Sequence, residues 1–100
     1  MIGFGQDNIS AEDYFNIAKI NNSNVEYQLA IDNYTKAIKI DPDYVKAYHN
    51  RGNTYKELEN YKNAIADYTR AIKIDPDYST AYYNRGNTYK ELENYKNAIA

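Results

Sequence analysis

The chain has 100 residues and no cysteine, a formal net charge of −2, and 43% hydrophobic against 26% charged residues. Such a composition suits one modest folded domain and excludes a disordered chain, disulfides, thiol catalysis and thiolate metal sites. Lysines and carboxylates are mixed along it, which excludes the clustered positive charge of a nucleic-acid surface, and no apolar run approaches the ~18 residues that span a bilayer. Residues 1–10 read as an N-terminal extension. It opens Met1-Ile2-Gly3-Phe4-Gly5-Gln6, without the basic and long apolar regions of a signal peptide, so a cytoplasmic location without membrane attachment is expected. Gly3-Phe4-Gly5 has neither the length nor the lysine of a phosphate loop.

Ser10-Ala11-Glu12-Asp13 matches a capping box and opens a helix predicted over 11–21, with Tyr14, Ile17 and Ala18 on one face. Asn21-Asn22-Ser23-Asn24 then reads as a loop. The stripe Tyr27, Ala30, Ile31, Tyr34, Ala37 and Ile38 predicts a second helix over 26–40. Asp41-Pro42-Asp43 ends it, because proline lacks the N–H that continues a helix and disfavours helical geometry just before it. Tyr48, Arg51, Gly52, Tyr55 and Leu58 share the face of a helix predicted over 44–58. Asn60 can cap the next, over 60–74, whose stripe is Tyr61, Ala64, Ile65, Tyr68, Ala71 and Ile72. Asp75-Pro76-Asp77 repeats the punctuation, with Asp77 placed to cap a helix over 78–92, and a last helix is predicted over 94–100. No segment alternates with period two, so strands are not expected.

These elements repeat. Asn50 to Ala66 and Asn84 to Ala100 are the same seventeen residues, 34 positions apart, and the octapeptide at Ala37–Tyr44 recurs at Ala71–Tyr78 with the same offset. A 34-residue helix–turn–helix period closed by proline resembles the tetratricopeptide repeat. The family's anchors are a large residue, a small one, an aromatic, then alanine, an aromatic, alanine and proline. The second unit supplies Tyr48, Gly52, Tyr55, Ala64, Tyr68, Ala71 and Pro76. The third supplies Tyr82, Gly86, Tyr89 and Ala98. The first supplies Tyr14, Ala18, Ala30, Tyr34, Ala37 and Pro42, with Asn21 in place of the aromatic. Where the family usually has a turn glycine, Glu59 and Glu93 stand. The resemblance covers residues 11–100. It implies an all-α, right-handed superhelical solenoid of antiparallel helix pairs: a degenerate repeat at 11–44, a second at 45–78, and a third at 79–100 cut short in its second helix, about two and a half repeats.

Physical needs account for several unusual residues. The thirteen tyrosines, against two Phe and no Trp, fall at helical core spacing, which fits packing better than a stacking platform for bases. Gly52 and Gly86 each cost about 1 kcal/mol inside a helix, so close helix–helix approach is expected at them, with contact to a ligand as the alternative. Arg51 and Arg85 interrupt the apolar stripe where the family usually has leucine, and a cation near a core needs a partner. The second unit has Arg51 with Asp67, whereas the first has Ile17 with Asn33. An Arg51–Asp67 structural ion pair is therefore expected, and Arg85 is expected to turn to a neighbouring carboxylate. The alternative is an arginine awaiting a ligand's carboxylate.

No catalytic constellation is present, and the chain is read as non-enzymatic, with no cofactor and no metal. His49, the one histidine, has no nucleophile at a telling spacing and reads as a groove residue. The Asp-Pro-Asp pairs lack the spacing of a calcium loop and serve helix ends, while Glu57, Glu59, Glu91 and Glu93 read as solvated positions. By resemblance, the concave groove takes Phe15, Asn16 and Lys19, then His49, Asn50 and Asn53, then Tyr83, Asn84 and Asn87, with Lys56 and Lys90 one turn on. Asparagine carries a donor and an acceptor, so Asn16, Asn50 and Asn84 could grip an extended backbone, or merely make a polar face. His49, Tyr83 and Phe15 would add apolar contacts. Some family members clamp the C-terminal carboxylate of heat-shock chaperones. Phe15, Lys19, Thr80 and Asn84 stand at those positions here and only Asn50 matches, so that clamp is not expected. Two functions follow: a scaffold holding a peptide or protein segment in the groove, or a self-associating module that oligomerises through an uncovered C-terminal end, as a fragment of a longer array would.

Overall fold

The computed structural model describes residues 9–99; the expectations for Gly3-Phe4-Gly5, for most of the N-terminal extension and for Ala100 lie outside them. Five helices follow one another: α1 (Ala11–Ser23), α2 (Tyr27–Ile40), α3 (Val45–Glu57), α4 (Tyr61–Ile74) and α5 (Ser79–Ile99). No strand occurs among the described residues. The body is elongated, 58 × 29 × 17 Å, as expected of a solenoid whose units meet only their neighbours.

Local chemistry sets the boundaries. Ser10 and Asp13 form a reciprocal capping box, with Asp13 N–H donating to Ser10 Oγ at 3.0 Å and Ser10 N–H to Asp13 Oδ2 at 3.2 Å. α1 runs through Asn21–Ser23, two residues past its expected end, because the asparagines continue the helix. Asn60 accepts from the Asn63 N–H and opens α4. At each proline the first aspartate uses its side chain: Asp41 Oδ1 accepts from Asp43 N–H and Asp75 Oδ1 from Asp77 N–H, both at 3.1 Å. The side chain that organises this turn is thus that of Asp75, where the sequence pointed to Asp77.

Packing follows the anchors. Ala18, Ala30, Ala37, Ala64 and Ala71 are fully buried, and Tyr34 and Tyr68 fill the space between helix pairs. A Cβ built on Gly52 would stand 2.9 Å from a Tyr68 ring carbon and 3.2 Å from the Ala64 carbonyl oxygen, so the close approach of α3 to α4 requires glycine there. The short turns inside the first two pairs rest on Val25 and Glu59, both left-handed at φ 62° and 59°. That conformation costs about 1–2 kcal/mol in a non-glycine residue, so the packing of the following helix must offset it.

The third unit departs from expectation. The turn predicted at Glu93-Asn94 does not form, and α5 continues unbroken to Ile99. The physical reason lies in the stripe. After Glu59, α4 presents Tyr61, Ala64, Ile65, Tyr68, Ala71 and Ile72 to α3. In α5 Tyr95, Ala98 and Ile99 stay exposed, and so little burial does not repay a left-handed glutamate and a broken hydrogen-bond ladder. The distal half of α5 instead lies along the preceding turn, with Tyr61 and Tyr95 edge-on at 6.4 Å and Lys56 3.4 Å from Glu91.

The first helices of successive units approach one another (α1 with α3, α3 with α5), while α2 and α4 do not meet. The side carrying α1, α3 and α5 is therefore the inner, concave one.

Candidate functional site

Along this concave side the units leave a cleft of about 250 Å3 between α1 and α3, lined by Lys19, Asn22, Ser23, Tyr34, Asn50 and Asn53. Beside it Asn16, Lys19, Ile20, Ser23 and Asn24 line a more open depression. Lys19, Asn50 and Asn53 are thus brought together, and Asn16 lies alongside. Lys19 holds its ammonium 4.9 Å from the Phe15 ring centroid, so a cation sits at the mouth of a polar cleft. Asn22, Ser23 and Tyr34 line the cleft without having been anticipated. Asn22 lies at the position of Lys56 in the second unit, and that 34-residue register is the signal that would have found it; Ser23, at the position of the solvated Glu57, carries no such signal.

Two expected groove contacts are withdrawn from the surface. Phe15 is 6% exposed, packed against Tyr34 and Tyr44 at ring-centroid distances of 5.8 and 5.0 Å, and His49 is 7% exposed, packed against Tyr68 and Tyr78 at 5.8 and 5.1 Å. Their position turns them toward the next helix pair, so they serve stacking between units and offer little to a ligand. Tyr83 is 71% exposed, and Lys90 is exposed with Asn87 half-buried. Lys56 reaches Glu91 at 3.4 Å.

The asparagines are not free equivalents of one another. Asn84 Nδ2 lies 2.9 Å from His49 Nε2 and 3.3 Å from Asn53 Oδ1, and the same Asn53 oxygen accepts from the Tyr68 hydroxyl. Asn50 offers its backbone carbonyl to the Thr54 hydroxyl, which also donates to Asn22 Oδ1 at 2.8 Å. Burial pushes the Tyr68 phenol up to about 12 and Tyr34 in the same direction. Both hydroxyls therefore keep their protons at neutral pH and remain donors.

Arg51 and Asp67 lie between α3 and α4. Arg51 Nε donates to Asp67 Oδ2 and its terminal nitrogen to Oδ1, each at 2.8 Å, a two-pronged pair whose carboxylate side chain is 1% exposed. Arg51 also donates to the Thr35 hydroxyl, and Arg70 reaches Asp67 Oδ1 at 3.0 Å. Arg85 does not turn to a carboxylate among the described residues. It donates to the Thr69 hydroxyl at 3.1 Å and lies 5.5 Å from the Tyr82 ring centroid.

No cluster of three or more metal-ligating side chains occurs among the described residues, and no described helix is long and apolar enough to cross a membrane.

Comparison with known proteins follows from this geometry. The family model of the TPR repeat matches residues 26–59 and 52–92. The structure of MamA superposes with a TM-score of 0.83 at 32% identity over 85% of this chain and 50% of that one, so the chain spans half of MamA's length. The Arabidopsis OM64 TPR domain gives 0.78 at 35% identity, covering 82% of this chain and 68% of that one. The second TPR of Spaghetti (RPAP3), solved with the HSP90 peptide SRMEEVD, gives 0.82 at 28% identity, covering 93% and 86%. No curated protein sequence matches significantly. Fold, anchors and family match agree: the chain belongs to the TPR repeat family.

Proposed function

We propose that this chain is a non-enzymatic protein-interaction scaffold that holds an extended polypeptide segment in its concave groove. The observation that carries this reading is the cleft between α1 and α3, where Lys19, Asn50 and Asn53 converge beside Tyr34. Amides supply donors and acceptors at backbone spacing, and the lysine adds attraction for a carboxylate. That a similar TPR domain is solved with a peptide supports it. Panning a library of random 12-residue peptides against the chain tests it. Ligands should be recovered, and Asn50→Ala with Asn84→Ala should weaken them about tenfold, as expected for two hydrogen bonds of about 0.5–1.5 kcal/mol each. Peptides that bind the double variant as well as the parent would place the interaction elsewhere. SRMEEVD should bind no better than its scrambled form, since the chaperone clamp's positions are mostly filled by other residues here.

A second reading, self-association through α5, has its own support. Tyr82 and Tyr89 are 44% and 54% exposed and Gly86 has nothing within 4 Å, on the face whose equivalent in α3 is covered by α4. Two copies meeting through α5 would cover this face in both. Sedimentation across a wide concentration range should show a dimer that dissociates on dilution; a constant monomer removes this reading.

A further inference from the structure

His49 sits at the joint between the second and third units, and its ring touches groups from each. Tyr68 packs on it from α4 and Tyr78 from the turn before α5, while Asn84 approaches from α5 itself. An amide NH2 group only donates, so with Asn84 Nδ2 2.9 Å away, His49 Nε2 is the bare nitrogen of a neutral ring. The proton is then on Nδ1, which donates to the Tyr78 hydroxyl oxygen at 3.3 Å. The second Asn84 N–H points to Asn53 Oδ1 at 3.3 Å, and Tyr68 donates to that same oxygen.

This arrangement leaves two groups unengaged, Asn53 Nδ2 and Asn84 Oδ1. No buried side-chain nitrogen or oxygen among the described residues lacks a partner, so neither is fully enclosed. One is a donor from the second unit and the other an acceptor from the third. Such a donor and acceptor complement one C=O and one N–H of an extended peptide.

We propose that His49 is the positioning residue of the groove: its neutral ring fixes the Asn84 amide, Asn84 fixes Asn53, and the pair then presents a donor and an acceptor in a set order. The inference rests on the groove reading above and adds to it a residue that touches no ligand. It also makes the groove sensitive to acid. A proton on Nε2 would face the Asn84 NH2 group, donor against donor. Turning that amide puts its oxygen against Asn53 Oδ1, acceptor against acceptor, so no single flip absorbs the change. The groups facing His49 are Tyr68, Tyr78 and Asn84, with its neighbour Asn50, and none is charged. Burial pushes the His49 pKa below its usual value, partly offset by Asn50. With the folded-state pKa depressed, the ordered pair is fully present above the unfolded value of about 6.5 and is lost as pH falls from there through the folded value.

The test uses the free 15N-labelled chain, followed from pH 7.5 to 5. The expected result is an Nδ1–H tautomer at pH 7.5 and side-chain amide signals of Asn84 and Asn53 that move with the His49 titration. His49→Gln, whose Oε1 still accepts but does not titrate, should keep those signals constant with pH. An Nε2–H tautomer at pH 7.5, or amide signals that stay still while His49 titrates, overturns the proposal. Peptides recovered by panning should bind the parent about tenfold more weakly once His49 is protonated than at pH 7.5, the loss of about one hydrogen bond, and bind His49→Gln equally in both conditions. A parent affinity that stays flat across the His49 titration also overturns it. Because the spectra need no ligand, a failure to recover any peptide sinks the groove reading and leaves the positioning result standing by itself.

Discussion

Residues 50–65 and 84–99 are identical in sequence and different in structure. The first stretch bends: α3 ends at Glu57, Glu59 takes a φ of 59°, and Asn60 opens α4. The second runs straight through Glu93 and Asn94 as one helix. The environments differ in step. Gly52 lies against Tyr68 and Ala64, whereas nothing comes within 4 Å of a Cβ on Gly86. Arg51 meets a buried carboxylate, whereas Arg85 meets a hydroxyl. The turn is therefore not written in the seventeen residues that contain it. Lys-Glu-Leu-Glu is good helix-forming sequence, and left alone it stays helical. It bends where Asp67, Tyr68, Ala71 and Ile72 follow to bury the face that the bend brings together.

The largest expected effect attacks that bend through Arg51. Removing one partner of a buried pair leaves an uncompensated charge, so Asp67→Asn should cost about 3 kcal/mol or more. In a domain of this size that is a fall of about 10–20 °C in Tm. Arg85→Leu, at the same place in the third unit, should change stability by less than about 0.5 kcal/mol, because Arg85 is held by one surface hydrogen bond. Arg51→Leu together with Asp67→Leu removes both charges and should recover most of the loss, since an apolar replacement of a buried pair is often neutral. Urea midpoints measure all three. An Asp67→Asn midpoint equal to the parent's would show that the pair does not hold α4 to α3.

The same contrast explains what could be read from the sequence. The repeat period, the proline stops and the first four helices were legible to within about two residues, since each is marked by local chemistry: the Ser10 box, the Asn60 cap, Pro42 and Pro76. The end of α5 was not, because period reasoning assumes that equal sequence meets equal surroundings. At the groove, the family resemblance, carried along the 34-residue register, pointed to Lys19, Asn50 and Asn53, which line one cleft. Phe15 and His49 share that register and yet are buried. Register places a residue on a face, but whether a large ring there reaches the solvent depends on the tyrosines that close each unit, Tyr44 and Tyr78, which fold over them. The coupling of Asn84 through Asn53 to Tyr68 was equally hidden, since its members lie up to 31 residues apart in the chain.

A smaller effect sharpens the comparison, because it should change sign between two identical sequences. Alanine in place of glycine gains about 1 kcal/mol within a helix when nothing opposes it. At Gly86 nothing does, so Gly86→Ala should raise stability by about that amount. At Gly52 the added methyl meets the Tyr68 ring at 2.9 Å and the Ala64 carbonyl at 3.2 Å. The ring could shift, but the carbonyl belongs to the α4 backbone, which would have to move away from α3. Overpacking of this kind costs about 1–3 kcal/mol, which outweighs the gain in helix propensity. Gly52→Ala should therefore lower the urea midpoint while Gly86→Ala raises it. Two increases of equal size would mean that α3 and α4 are not held at glycine distance, and the bend would then need another cause than the packing of α4 on that face.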